Sequence, residues 1–210
     1  MGGMLYWIDL LGVAVFAATG ALVASRKQMD LVGFGLMASV TGVGGGTLRD
    51  LLLDRRVFWV QDISYLIVCL AVALLLFFSA HVIQKRYVAL LWADAVGISA
   101  YGVMGAELAR LSGAAPLVAL VMGVMTATFG GLIRDVICQE LPLILRKEVY
   151  ASAAAVGAFV HLMAVEALAL PVAVGALCGF ASAFAVRGAG IGFGLSLPPY
   201  KPREARDYPR

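Results

Sequence analysis

Residues 42–50 read Gly-Val-Gly-Gly-Gly-Thr-Leu-Arg-Asp, and residues 127–135 read Ala-Thr-Phe-Gly-Gly-Leu-Ile-Arg-Asp. A glycine pair and an Arg-Asp pair therefore recur at identical spacing, 85 residues further along the chain. Chance similarity between apolar segments would align leucine and alanine, which are common there, and not rare charged residues. We interpret the two stretches as equivalent positions of an internal repeat.

The chain around these stretches is unusually apolar. Of its 210 residues, 62% are hydrophobic and 14% are charged, and the mean hydropathy is +0.94; soluble proteins carry about 25% charged residues. The net charge of +3 lies in short clusters between apolar runs, which argues against a nucleic-acid partner because no basic face interleaved with aromatic residues is formed. No paired-carboxylate, Ser/His or zinc-ligand constellation indicates an enzyme. The composition therefore predicts an integral membrane protein.

Seven apolar segments are long enough to cross a bilayer, which takes about 20 residues each. They lie at residues 5–24, 31–53, 62–80, 88–108, 116–138, 149–166 and 169–186. With the N-terminus outside, eleven Lys and Arg residues fall on the inner side and three on the outer side. The positive-inside rule therefore predicts an outside N-terminus and a cytoplasmic C-terminus.

The shift of 85 residues aligns both halves of the chain without a gap. The matched pairs include Asp9 with Asp94, Gly12 with Gly97, Gly20 with Gly105, Thr41 with Thr126 and Tyr65 with Tyr150. Each copy holds three spans, an odd number, so the second copy must enter the membrane in the opposite orientation. This predicts inverted three-helix repeats at 1–84 and 85–168, a seventh helix at 169–187 as scaffold or oligomer contact, and a flexible cytoplasmic tail at 188–210.

The glycine clusters lie near the middle of the second and fifth spans. Each glycine weakens a helix by about 1 kcal/mol relative to alanine, so the clusters predict that both helices are broken there. Broken helices expose backbone carbonyl groups that can face a cation in a watery cavity. The candidate ion-pathway residues in these spans are Thr41, Gly44, Gly45, Gly46, Thr126, Thr128, Gly130 and Gly131. The alternative is that the glycines only allow close helix packing.

The Arg-Asp pairs add buried charge to both spans. A charge at mid-bilayer costs about 2.5 to 3.5 kcal/mol unless it is paired or hydrated. Because sequence neighbours point about 100° apart on a helix, we expect each arginine to pair elsewhere. The candidate assignment is that Arg49 pairs with Asp9 and Arg134 with Asp94, which leaves Asp50 and Asp135 to face a cation. The alternative is that the four charges are helix-end anchors.

The doubled motif, Gly44 to Asp50 and Gly130 to Asp135, set in two three-helix repeats plus a seventh helix, resembles the prokaryotic trimeric intracellular cation channels. The resemblance covers the chain to about residue 190 and implies a homotrimer in a bacterial plasma membrane. It also implies one pore per protomer, lined by the glycine-broken second and fifth helices, that conducts potassium and, less well, sodium. Phe129 stands where the first copy has Gly44, so the second break is expected to be milder and the pore asymmetric.

The same family has also been labelled a glycine transporter, which supplies the main alternative, a secondary transporter of a small amino acid. Half-helix N-termini hold a carboxylate as readily as carbonyl groups hold a cation. No cofactor and no structural metal are expected; the expected solutes are permeant potassium or sodium ions, and the expected partners are membrane lipid and further copies of the chain. A scaffold that transports nothing is the third possibility.

Overall fold

The computed structural model describes residues 3–83, 85–146, 148–196 and 198. These residues form helices and connecting turns, with no β-strand among them. The helices are α1 (Gly3–Arg26), α2 (Leu31–Leu52), α3 (Phe58–Gln61), α4 (Ser64–Ser79), α5 (Arg86–Leu111), α6 (Pro116–Ile137), α7 (Ala151–Leu162) and α8 (Val172–Phe193). Short 3₁₀ turns occupy Ala80–Val82 and Leu143–Leu145, and a π-helical turn, Met163–Ala167, extends α7.

The spans match the predicted fold class. By length and composition, six of the described helices can cross a membrane, and Ala151–Ala167 forms a shorter apolar helix. The prediction of an all-helical chain with seven apolar spans is therefore confirmed. The inverted orientation of the two halves stays a prediction.

The seventh spanning helix, α8, is longer than predicted. It continues to Phe193, whereas the sequence interpretation ended it at Arg187 and assigned 188–210 to a flexible tail. The residues from 188 to 193 are glycine, alanine, isoleucine and phenylalanine, all without a charge. The helix ends where Gly194 adopts a left-handed conformation with φ of 67°, a common helix terminus for glycine. The remainder of the predicted tail, residue 197 and residues 199–210, lies outside the described residues.

The predicted breaks in the second and fifth spans are wrong. Helices α2 and α6 are each continuous through their glycines. The glycines instead allow the two helices to cross closely: an ideal Cβ on Gly45 would lie 2.1 Å from the Thr126 carbonyl oxygen, and one on Gly130 would lie 2.4 Å from that of Thr41. Close packing offsets the weak helix propensity of glycine, which is the alternative that the sequence left open.

The crossing follows the repeat. Gly45 and Gly130 are 85 residues apart, as are Thr41 and Thr126, so each half contributes the same glycine and the same threonine carbonyl group to the contact. This reciprocity is what two repeats related by an internal twofold axis would produce. It supports the predicted repeat.

Candidate functional site

An open cavity of about 530 Å³ lies where the N-terminal half of α1 meets the C-terminal end of α2 and the start of α4. We call it the Asp9 cavity. Its lining combines three carboxylates, three guanidinium groups and three aromatic rings with one amide. The lining residues are Tyr6, Asp9, Arg49, Asp50, Arg55, Arg56, Phe58, Gln61, Asp62 and Tyr65.

The Arg-Asp pair of α2 lies at the inner wall of this cavity and is mutually satisfied. Arg49 Nε and Nη2 each lie 2.8 Å from Asp50 Oδ1. The second carboxylate oxygen of Asp50 accepts a hydrogen bond of 3.0 Å from the backbone N–H of Phe58, and the Arg49 guanidinium lies 5.6 Å from the centre of the Phe58 ring. The expectation that sequence neighbours cannot pair is wrong, because the long arginine side chain turns back across the helix surface.

Asp9 is held by tyrosines and not by arginine. Its Oδ2 accepts a hydrogen bond of 2.7 Å from Tyr65 Oη, and its Oδ1 accepts one of 2.8 Å from Tyr101 Oη. The predicted pair between Arg49 and Asp9 is therefore wrong, because Arg49 is satisfied within its own helix. Both carboxylate oxygens of Asp9 thus accept hydrogen bonds from neutral hydroxyl groups, and Asp9 forms no ion pair with an arginine among the described residues.

Asp62 supplies a further carboxylate at the mouth of the cavity. The backbone N–H of Ser64 donates to Asp62 Oδ1 at 2.9 Å, and Tyr6 Oη donates to Asp62 Oδ2 at 2.8 Å. These hydrogen bonds, first among them the one from the Ser64 backbone, lower the pKa of Asp62 below its ordinary value. The mouth therefore keeps this negative charge at neutral pH.

The corresponding residues of the second half form a closed group, which we call the Asp94 cluster: Asp94, Arg134, Asp135 and Tyr150. Arg134 Nη1 lies 3.2 Å from Asp94 Oδ1, the ion pair that the sequence predicted, and Arg134 Nε lies 2.8 Å from Asp135 Oδ1. Arg134 Nη1 also donates to Thr19 Oγ1 at 2.9 Å. All four members are at most 3% exposed.

The two halves hold the aspartate of the Arg-Asp pair alike. Asp135 Oδ2 accepts from the backbone N–H of Leu143 at 3.0 Å, as Asp50 Oδ2 accepts from Phe58, and both donors lie eight residues beyond the aspartate. The first-half residues line the Asp9 cavity. The matched residues of both halves are buried, at 2 to 6% exposure in the first half and 0 to 3% in the second.

The Asp94 cluster contains buried polar atoms with no hydrogen-bond partner among the described residues. They are Asp94 Oδ2, Arg134 Nη2 and Tyr150 Oη. The Tyr150 hydroxyl group and the Asp94 carboxyl group nevertheless lie close enough to interact with each other. Two of these atoms converge beside Gly131, where an ideal Cβ would lie 3.1 Å from Tyr150 Oη and 3.4 Å from Arg134 Nη2. Unpaired buried polar groups are costly, so such a cluster is suited to taking up a small polar guest, water or an ion.

The other predicted pathway residues lie at or near the crossing of α2 and α6. The hydroxyl groups of Thr41, Thr126 and Thr128 donate to carbonyl groups of their own helices, at 2.6, 2.6 and 2.8 Å. Gly44 and Gly46 are packed against side chains, of Ile133 and Phe58. Of the fourteen residues predicted, Asp9, Arg49 and Asp50 are the ones that line the Asp9 cavity.

Sequence reasoning missed Tyr101, Phe58 and Asp62. Tyr101 and Phe58 are uncharged and belong to no motif. Tyr101 donates its hydroxyl group to Asp9, 92 residues away, and Phe58 donates its backbone N–H to Asp50, so both roles depend on tertiary structure. Tyr65 was available from the repeat, because it aligns with Tyr150, but the sequence assigned neither tyrosine a partner.

A family model described as glycine transporter matches the chain twice, at residues 6–81 and 91–166. The two matched ranges are offset by 85 residues, the shift that aligns the two motifs. The inner membrane protein YadS of Escherichia coli strain K12 is 38% identical over 201 residues, which cover 94% of this chain and 96% of YadS. A membrane protein of Vibrio cholerae is 38% identical over 94% of this chain and 83% of its own length.

Solved structures of cation channels are also similar. A TRIC trimeric intracellular cation channel orthologue from Rhodobacter sphaeroides is 51% identical, with a TM-score of 0.87 over 90% of this chain and 98% of that one. A second structure, solved to explain conductance through TRIC cation channels, is 30% identical, with a TM-score of 0.85 over 98% of this chain and all of the other.

Proposed function

This chain belongs to the trimeric intracellular cation channel family, whose family model is described as glycine transporter, and on that premise we propose that it is a monovalent cation channel that conducts potassium. It is a multi-pass membrane protein. The observation that carries the proposal is the 51% identity with a TRIC channel orthologue over 90% of this chain. Membership of this family gives no support to an enzymatic function.

The proposed pathway runs within one protomer, beside α2 and α6. It begins in the Asp9 cavity, where the Asp9 carboxylate can replace part of the hydration shell of a cation. It ends at the Asp94 cluster, where the same residue types recur. Between them the crossing at Gly45 and Gly130 is tightly packed, so conduction requires the two helices to separate there.

The wider setting of the channel is also part of the proposal. The chain assembles as a homotrimer with one pathway per protomer, as the description of the similar Rhodobacter channel as trimeric suggests. It lies in the plasma membrane with the N-terminus outside and the C-terminus in the cytoplasm, which the eleven-to-three distribution of basic residues supports. The Asp9 cavity then faces the exterior.

The second candidate function is a carrier for a small amino acid. Carboxylates and guanidinium groups line the Asp9 cavity together, and these are the groups that bind the ammonium and carboxylate ends of a zwitterion.

Recording from purified protein in a planar bilayer distinguishes the two functions. A channel is expected to give unitary current steps in potassium chloride, because ions then pass without a conformational cycle for each ion. Liposomes that contain the same protein are expected to take up labelled glycine no faster than empty liposomes. Saturable glycine uptake without current steps would instead establish the carrier, and the absence of both would leave the scaffold.

A further inference from the structure

A buried arginine from outside the repeat, Arg187, lies at the inner end of the proposed pathway. Arg187 lies on α8, beyond the two matched halves, and it is 0% exposed. Its Nη1 donates to Glu148 Oε2 at 2.9 Å and to the Val149 carbonyl oxygen at 3.2 Å. Its guanidinium carbon lies 5.2 Å from the centre of the Tyr150 ring. Arg187 therefore covers a member of the Asp94 cluster.

The tyrosine that Arg187 contacts has a counterpart in the first half of the repeat. Tyr150 aligns with Tyr65, and Tyr65 lines the open Asp9 cavity. The guanidinium of Arg187 thus lies against the tyrosine whose counterpart lines the Asp9 cavity. The first half has no equivalent of α8, so this cation over the tyrosine ring is particular to the second half.

The contacts of Arg187 are incomplete. Its Nε and Nη2 are buried and have no hydrogen-bond partner among the residues that the structure describes. The side chain of its ion-pair partner, Glu148, is 35% exposed. Burying a guanidinium with unpaired N–H groups costs desolvation free energy, which is recovered when the group moves into water. The ion pair with Glu148 is therefore the main interaction that keeps Arg187 buried.

We propose that Arg187 of the seventh spanning helix closes the inner end of the ion pathway, and that release of its guanidinium from Glu148 opens it. In the closed position the positive charge lies over Tyr150 beside Asp94, where it repels an incoming cation. Release exposes the unpaired oxygens of Asp94 and Tyr150 to that cation. The inference rests on the proposed channel function and adds to it a residue that the doubled motif does not contain.

The test is single-channel recording from full-length protein with Arg187→Gln, which removes the charge but keeps a hydrogen-bonding side chain. The open probability is expected to rise about tenfold, the effect of losing one charge-assisted hydrogen bond. Arg187→Lys is the matched control, because it keeps the charge. It loses the planar guanidinium over the Tyr150 ring, so its open probability is expected to rise less than that of Arg187→Gln.

Glu148→Gln is the second variant, chosen because its side chain is part exposed and its loss should leave folding intact. It is expected to raise the open probability in the same direction as Arg187→Gln, and size-exclusion chromatography checks that each variant remains monodisperse. If the unchanged chain conducts, while Glu148→Gln and folded Arg187→Gln both gate as the unchanged chain does, this inference alone is overturned. An unchanged chain without current steps would overturn the channel proposal and the inference with it.

Discussion

Replacing Gly45 by alanine is expected to lower the free energy of unfolding by about 1 to 3 kcal/mol, the usual cost of overpacking. The added Cβ would lie 2.1 Å from the carbonyl oxygen of Thr126 and 3.1 Å from its carbonyl carbon. These are backbone atoms of α6, so no side-chain rotation relieves the contact, and the two helices must move apart. Gly130→Ala is expected to act alike through the Thr41 carbonyl group. Thermal unfolding of the detergent-solubilised protein measures both effects.

Gly44→Ala is the matched control on the same helix turn. Its Cβ would lie 3.3 Å from Ile133 Cδ1, the flexible end of a side chain, and 3.6 Å from the Cα of Gly130. Alanine also favours the helix by about 1 kcal/mol over glycine, so this variant is expected to unfold at or above the temperature of the unchanged chain. Equal destabilisation by Gly44→Ala and Gly45→Ala would contradict the close crossing.

Asp94→Asn is expected to destabilise the protein by about 1.5 to 3 kcal/mol, the contribution of a hydrogen bond between charged groups. Arg134 is 0% exposed and keeps its ion pair with Asp135 at 2.8 Å, but its Nη1 then has only neutral acceptors, such as the Thr19 hydroxyl group. Size-exclusion chromatography and thermal unfolding of the purified protein measure the effect. The expected result is a loss of monodisperse protein or a fall in the unfolding temperature.

Asp9→Asn is the control at the matched position of the first half. The partners of Asp9 are the neutral hydroxyl groups of Tyr65 and Tyr101, and an amide can bond to both. The expected loss of unfolding free energy is therefore smaller, about 1 to 2 kcal/mol. The cation conductance of the Asp9→Asn variant is expected to fall, because the cavity loses a carboxylate. If Asp9→Asn proved as destabilising as Asp94→Asn, the difference assigned to the two pairings would be wrong.

The spans and the spacing of the repeat follow from the sequence because hydropathy and rare charges are local properties. The pair between Arg134 and Asp94 was also predictable, since a buried charge needs a partner and the repeat supplied one. The same reasoning failed for Arg49, which pairs with its sequence neighbour Asp50 and not with Asp9. The two residues point in different directions from the helix, but the arginine side chain is long enough to reach the neighbouring carboxylate.

The helix breaks could not be judged from sequence, because glycine both weakens a helix and permits close packing. Which effect wins depends on the partner helix, and here Gly45 of α2 meets a backbone carbonyl group of α6. Arg187 was counted with the basic residues of the inner side, and only the packing of α8 on the second half shows that it is buried.

The central claim is that this chain passes cations selectively, and the reversal potential of its unitary currents tests that claim most directly. Under a potassium chloride gradient across a planar bilayer, the account predicts a reversal potential close to the equilibrium potential of potassium. A reversal potential at zero, or one close to the equilibrium potential of chloride, would contradict it.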